Sequence, residues 1–338
     1  MSPTATYDIE EASYRNDLLI EHGELTIPTR PEAMFGRRGP FCVEIGFGAG
    51  GFLTRLAGLR PGWKILGVEL SPPCHSRARK SLIEAGHANV RLLKAPGEFV
   101  IRNITPAESI RRVYVNFPDP WPKERHHDRR LLQRQFFEVL AGRLEEHGEL
   151  WLTSDHAEYF DWAVACGEAT DLYDICRRKP DEALLQTKYG RKWRQEGKQI
   201  QQAVFAKAEE GDWIPPDIEL VDEMHHATIR GELPDPEDFQ KIRSIDDDRV
   251  IIILEAYRNV GGEGLLFLAH IEESDLTQRV LIDVTPREEV GDGDRKIVVG
   301  IRRFNQPLMT KGTGAAVECV AQWVVDQAEG NRIVERRF

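Results

Sequence analysis

Apolar positions in the first two thirds of the chain come in short bursts of β-strand character, each followed by a longer stretch with helical spacing. The bursts are FCVEIGF (residues 41–47), KILGVEL (64–70), NVRLLKA (89–95), RRVYVNF (111–117) and GELWLTSD (148–155). Strand and helix patterns in alternation predict a parallel sheet with helices on both faces. Ligands of such sheets bind at the carboxyl ends of the strands, near the point where the strand order reverses. Residues just after each burst are therefore the candidates for chemistry. Beyond residue 248 the pattern changes. The runs RVIIILEAY, GLLFLAHI, RVLIDV and KIVVGI, separated by Gly, Asp or polar breaks and followed by AAVECVAQWVVDQ, predict four mostly antiparallel strands and a closing helix.

A length of 338 residues favours two domains, and 41% apolar residues suffice for a core in each. The net charge of −11 argues against a nucleic-acid partner until its distribution is considered. Residues 1–211 hold 30 basic and 30 acidic groups, and residues 212–338 hold 15 and 26, so the whole deficit lies in the C-terminal part. Pro215, Pro216, Pro234, Pro236 and the acidic run Asp246, Asp247 and Asp248 give the stretch after residue 211 the composition of a linker. The expected organisation is an N-terminal segment (1–40), a first domain (41–211), a linker (212–248) and an acidic α+β domain (249–338). No internal repeat is evident. Five cysteines are an odd number without C-x-x-C spacing, a usage that fits a reducing, cytoplasmic setting. Asp8, Glu10 and Glu11 stand where a signal peptide would be apolar, and no run approaches membrane-spanning length.

The first burst runs into VEIGFGAGG (43–51), where Gly46, Gly48 and Gly50 permit positive φ and a close backbone approach to a ligand. Two cofactors fit this stretch. Gly46, Gly48 and Gly51 with Glu69 at the next strand end match the dinucleotide fingerprint G-x-G-x-x-G. Glu44 favours S-adenosylmethionine (SAM), because a carboxylate there meets a cationic amino-acid end but repels a pyrophosphate. Glu69 serves either cofactor, since ribose hydroxyls are donors in both.

The fourth burst leads into VYVNFPDPWPKERHHDRRLLQRQF (113–136), where Pro118, Pro120 and Pro122 stiffen the loop that carries Asp119 at a strand's carboxyl end. FPDPWPK followed by RHHDRR resembles the signature of the bacterial tRNA (guanine-N7)-methyltransferases, which modify position 46 of the variable loop. The resemblance spans residues 40–208 and includes VEIGFGAG, GVELS, FPDPWPK, TSDHAEYF and TKYGRKWRQEGK in family order. It implies an α/β, Rossmann-like SAM-dependent methyltransferase fold, with a second, smaller α+β C-terminal domain outside the family core. It also implies SAM as cofactor and tRNA as partner.

By this resemblance Asp119 is the catalytic carboxylate beside the SAM methyl group, and Glu44, Gly46, Gly48, Glu69 and Asp119 form the cofactor site. Lys123, Arg125, Arg129 and Arg130 are implied RNA contacts, although such a run also reads as a solvated helix face. Asp155 is an implied substrate contact and, on local pattern, an N-cap for the helix beginning AEYFDWA. Thr187, Lys188, Tyr189 and Gly190 correspond to the family's substrate-binding T-K-[FY]-E. Trp121 reads either as a platform for a splayed base or as loop packing. His126 and His127 lack companion ligands, and no metal is expected.

Three departures fall in binding positions. Gly190 replaces the family's Glu, Lys192 its usual Arg, and Ala95 a position that is often Asp or Asn against the SAM adenine; Glu98, Arg191 and Glu196 are candidates for compensation. Two other functions stay open at this point: a methyltransferase acting on another nucleic-acid base, and a non-catalytic SAM- or RNA-binding homologue. For the acidic domain the expected role is scaffolding or oligomerisation, with docking of the tRNA body second.

Overall fold

The computed structural model describes residues 18–20, 25–180, 199–221, 224–246, 248–287, 295–304 and 307–338. It divides into two compact units, one containing Pro28–Pro216 and the other Asp217–Phe338.

The first unit is built on a seven-stranded sheet of order β3-β2-β1-β4-β5-β7-β6. Its parallel strands are β1 (Phe41–Ile45), β2 (Lys64–Val68), β3 (Val90–Leu93), β4 (Ile110–Asn116) and β5 (Leu144–Ser154). These are the five bursts of the sequence, and their near-continuous apolar character follows from burial on both faces. The edge pair β6 (Tyr173–Arg178) and β7 (Gln201–Lys207) closes the sheet, with β7 antiparallel to both β5 and β6. At the other edge Leu92 N–H donates to Leu18 O (2.8 Å) and Ile20 N–H to Leu92 O (2.9 Å), so residues 18–20 cover the open side of β3.

A short helix α1 (Pro31–Phe35) precedes the sheet. The crossover helices α2 (Gly51–Leu59) and α3 (Pro72–Ala85) cover one face. Leu53, Leu56, Ala57, Ala78 and Leu82 pack there against Cys42, Ile65, Val90 and Leu92. After the single turn α4 (Gly97–Phe99) come α5 (Arg134–Ala141) and α6 (Ala157–Glu168). Phe137 of α5 lies 4.9 Å from Phe205 of β7, centroid to centroid, and accepts the Tyr173 hydroxyl at its carbonyl (2.6 Å). The segment after β7 belongs to this unit. Arg143, fully buried, donates to the carbonyls of Ile101 (3.1 Å), Arg102 (2.7 Å) and Ile214 (2.6 Å) and sits 3.8 Å from the Trp213 ring centroid.

The second unit carries a seven-stranded antiparallel sheet of order β14-β8-β13-β12-β11-β10-β9. Four of its strands are the expected ones: β10 (Arg249–Arg258), β11 (Leu265–Glu273), β12 (Leu276–Arg287) and β13 (Lys296–Ile301). Three more were not expected. The segment 212–248, read from composition as a linker, contributes β8 (His226–Arg230) and β9 (Ile242–Ile245), and β14 (Arg332–Arg337) follows the helix. These are short or edge strands, and β14 is rich in charge because an edge strand buries little. Helix α7 (Lys311–Asp326) lays Ala316, Val317, Val320, Ala321 and Val324 on the sheet, where Trp323 meets Phe267 (5.2 Å) and Phe239 (5.7 Å). Its start is tied down from two sides. Thr310 and Thr313 form a reciprocal capping box, and the buried Glu273 accepts from Gly312 N–H (2.6 Å) and the Thr310 hydroxyl.

Among the described residues, no helix is long and apolar enough to cross a membrane.

Candidate active site

Strand order reverses between β1 and β4, both parallel neighbours at the sheet centre. A cavity of about 790 Å³ opens there, within the range of small-molecule sites. Its lining brings together Glu44, Gly46 and Gly48 from the end of β1, Glu69 from the end of β2, and Asn116, Phe117, Asp119 and Trp121 from the end of β4. Arg129 and Asp155 also line it, so four widely separated motifs of the sequence meet in one place.

The glycine turn is shaped as its sequence requires, with φ of 75° at Gly46, 55° at Gly48 and 78° at Gly50. The glycines do different work. A Cβ on Gly46 would meet nothing within 4 Å, whereas one on Gly50 would lie 2.5 Å from Ala78 Cβ. Gly50 thus lets α2 and α3 approach, and Gly46 only turns the chain. Glu69 locks this turn to the next strand. Its Oε2 accepts from Gly48 N–H (3.1 Å), and its Oε1 from the N–H groups of Leu70 (2.9 Å) and Ser71 (3.0 Å).

Glu44 is 1% exposed, an unusual place for a carboxylate. Its Oε1 accepts from Asn116 Nδ2 (3.4 Å), and neither Glu44 Oε2 nor Asn116 Oδ1 has a hydrogen-bond partner. Burial pushes its pKa up to about 8, opposed by the Asn116 hydrogen bond and helped by the nearby charge of Glu69. Two buried polar atoms without partners, side by side at a cavity wall, are the mark of a site built for a polar ligand. A cationic amino group fits that pair of acceptors, and a pyrophosphate does not. Asn116 was not anticipated; it ends β4, and its only sequence signal was a polar residue one position before the end of an apolar burst.

The loop after β4 carries two non-glycine residues at positive φ, Phe117 at 53° and Trp121 at 41°, on either side of Pro118, Asp119 and Pro120. Asp119 is exposed at the cavity wall. Beyond it Lys123 opens a 3-10 turn (Glu124–Arg129). Lys123, Arg125 and Arg129 are exposed, and the Arg129 guanidinium lies 5.2 Å from the Trp121 ring centroid. Arg130 departs from expectation: it is 1% exposed, with its guanidinium turned inward to the loop's own backbone, and it is the extended residue that ends the 3-10 turn.

Asp155 lines the cavity, but the N-cap of α6 is His156, whose Nδ1 accepts from Tyr159 N–H (3.2 Å). The capping expected of Asp155 therefore falls one residue later. Glu98, a candidate for compensation, lines the cavity, and Ala95 is buried. Thr187, Lys188, Tyr189 and Gly190, with Arg191, Lys192 and Glu196, lie outside the described residues. Among the described residues, no group of three or more His, Cys, Asp or Glu side chains is arranged to hold a metal ion.

Comparison with known proteins adds an independent measure. Residues 38–203 match a family described as "Putative methyltransferase". The chain is similar to a tRNA (guanine-N(7)-)-methyltransferase of Thermus thermophilus, 40% identical over 91% of this chain and 96% of that protein. It is also similar to the enzyme of that name in Deinococcus radiodurans, 36% identical over 92% of this chain and 97% of the relative. A relative of the same name in Halorhodospira halophila matches 52% of this chain at 34% identity, covering 78% of that protein. The first two matches are long enough to take in most of the second unit.

Proposed function

Because this chain belongs to the tRNA (guanine-N(7)-)-methyltransferase family, we propose that it transfers the methyl group of SAM to N7 of a guanine in tRNA, at position 46 of the variable loop. The observation that carries this reading is the convergence of Glu44, Glu69 and Asp119 on one cavity at the sheet's switch point. When bound, SAM supplies an electrophilic methyl group on a sulfonium.

The residues of the chain do the rest. Glu44, with an unpartnered oxygen at the cavity wall, receives the ammonium of the amino-acid end. Glu69 already accepts three backbone N–H groups, which leaves about one of the four lone-pair sites of a carboxylate for a ribose hydroxyl. Guanine N7 has a free lone pair and no proton to lose, so no strong general base is needed. In-line orientation supplies much of the barrier reduction, and the proline-stiffened loop is suited to it. Positive charge develops on the purine as N7 is methylated, and the Asp119 carboxylate stabilises it. The exposed Lys123, Arg125 and Arg129 neutralise phosphates around the target loop, holding the RNA in register without reading bases. All five cysteines are free thiols, in keeping with a cytoplasmic enzyme. For the second unit the reading is a scaffold, since the 15 basic and 25 acidic groups of residues 217–338 oppose a broad phosphate-binding surface.

The direct experiment incubates the protein with SAM and an unmodified tRNA transcript, digests the RNA and detects 7-methylguanosine by mass spectrometry. Product is expected with the wild type and not with Asp119→Ala. A methylated adenine, or SAM binding without any product, would overturn the assignment.

A further inference from the structure

The structure assigns Arg130 a part in the reaction different from that of the cations around it: it is a positioning residue that holds the loop carrying Asp119. This inference rests on the methyl-transfer reading above. Its neighbours Lys123, Arg125 and Arg129 are exposed, whereas Arg130 is 1% exposed and is among the largest fully buried side chains of the described residues. Its Nε donates to Pro120 O (3.0 Å), and its Nη2 reaches Trp121 O (3.4 Å) and Glu158 Oε1 on α6 (3.0 Å). The guanidinium also faces the rings of Trp162 (4.9 Å) and Tyr159 (5.7 Å) of the same helix. A planar fork donates from separate nitrogens to two carbonyls and a carboxylate that lie apart, whereas an ammonium must gather every acceptor around one nitrogen.

The place of the clamp matters more than its strength. Pro120 and Trp121 directly follow Asp119, and Trp121 holds a positive φ of 41°, a conformation that a bulky residue keeps only when its surroundings enforce it. Pro118, Pro120 and Pro122 have no N–H, so this stretch has few donors with which to hold itself in shape. Arg130 supplies donors from outside and ties the turn to α6, whose first turn adjoins Asp155. The same hydrogen bond holds the pKa of the exposed Glu158 below its ordinary value. Arg130 thus acts through Asp119 and Trp121, and its charge is spent inside the protein instead of on phosphate.

The test compares Arg130→Lys with Arg125→Ala on the full chain. Arg130→Lys is expected to lower kcat about 10- to 100-fold, as a small misplacement of reacting groups does, with the affinities for SAM and tRNA and the salt dependence of tRNA binding unchanged. Arg125→Ala should instead weaken tRNA binding and reduce its salt slope by about one. Loss of tRNA affinity and salt slope in Arg130→Lys, with kcat kept, would make it an RNA contact and overturn the proposal; so would a variant unchanged in every respect. If Arg130→Lys no longer binds SAM, Glu158→Gln carries the test, because it removes the anchor from the surface and should lower kcat in the same direction by less. A readout independent of activity is tryptic cleavage after Lys123 and Arg125, mapped by mass spectrometry. Cleavage should be slow in the wild type and fast in Arg130→Lys, and equal rates would defeat the proposal. A wild type that makes no methylguanine while still showing this difference would discard the functional reading and leave the clamp standing.

Discussion

Each unit of the molecule buries a carboxylate, and the two are treated in opposite ways. Glu273 accepts from Gly312 N–H and the Thr310 hydroxyl, closing the start of α7 within its own unit. Glu44 has one weak partner, Asn116, and an oxygen with none. The first arrangement is complete without any other molecule. The second costs free energy until something arrives, and the free energy withheld from folding is available for binding. Glu273 is therefore part of a support, and Glu44, at the carboxyl edge of a parallel sheet, is part of a site.

The sharpest way to test this contrast is to remove the carboxylate proposed to stabilise charge on the purine. Asp119→Asn should reduce methyl transfer by at least about 100-fold with SAM affinity nearly unchanged, measured by single-turnover kinetics and calorimetry. In the other unit Glu273→Ala strands two donors and leaves a void, and should cost about 3 kcal/mol in denaturant unfolding while sparing the rate wherever the protein is folded. Were Glu273→Ala to abolish transfer in folded protein, the second unit would be more than a support.

The boundary between the units gives a smaller effect. A chain ended at residue 216 keeps Trp213 and Ile214 on Arg143, and one ended at residue 211 loses both contacts. The shorter fragment should be less stable by about 1–2 kcal/mol, read as a lower Tm. Equal melting would place the true boundary where composition had suggested it.

The smallest expected effect is a dependence on pH of opposite sign in the two units. Burial raises Glu44 to about 8, so the stability it contributes is present below its unfolded value and is lost as pH rises toward 8. Glu44→Gln should then raise the Tm of the ligand-free protein by about 2 °C or more at pH 8, with no gain at pH 4, while weakening SAM binding. His225, buried in the second unit, is held below its ordinary value by desolvation, with the Thr310 backbone opposing. Its contribution is present above the unfolded value and is lost as pH falls. His225→Gln should therefore soften the acid limb of the unfolding profile and leave the alkaline limb alone.

The parallel unit was legible because buried parallel strands are short apolar bursts, and because FPDPWPK has few other uses. The five parallel strands and the meeting of Glu44, Glu69 and Asp119 near their carboxyl ends follow from those two signals. The second unit was read incompletely for physical reasons. Strand β8 sits between prolines and acidic residues that dominate local composition, β9 has four residues, and β14 exposes most of its side chains. In the site, Arg130 is chemically identical to Arg129, and only the change from 3-10 to extended backbone between them separates a buried cation from an exposed one. His156 displaced Asp155 as the cap of α6 because its ring nitrogen reaches the Tyr159 N–H. No periodicity announces either outcome.

The raised pKa of Glu44 has a calorimetric consequence. At pH 7 a carboxyl group that titrates near 8 is mostly protonated, and an arriving ammonium would favour its ionised form. Cofactor binding would then release a proton to the buffer, so the heat observed at that pH should change with the buffer's ionisation enthalpy. The opening step of the catalytic cycle would be an exchange of one cation for another.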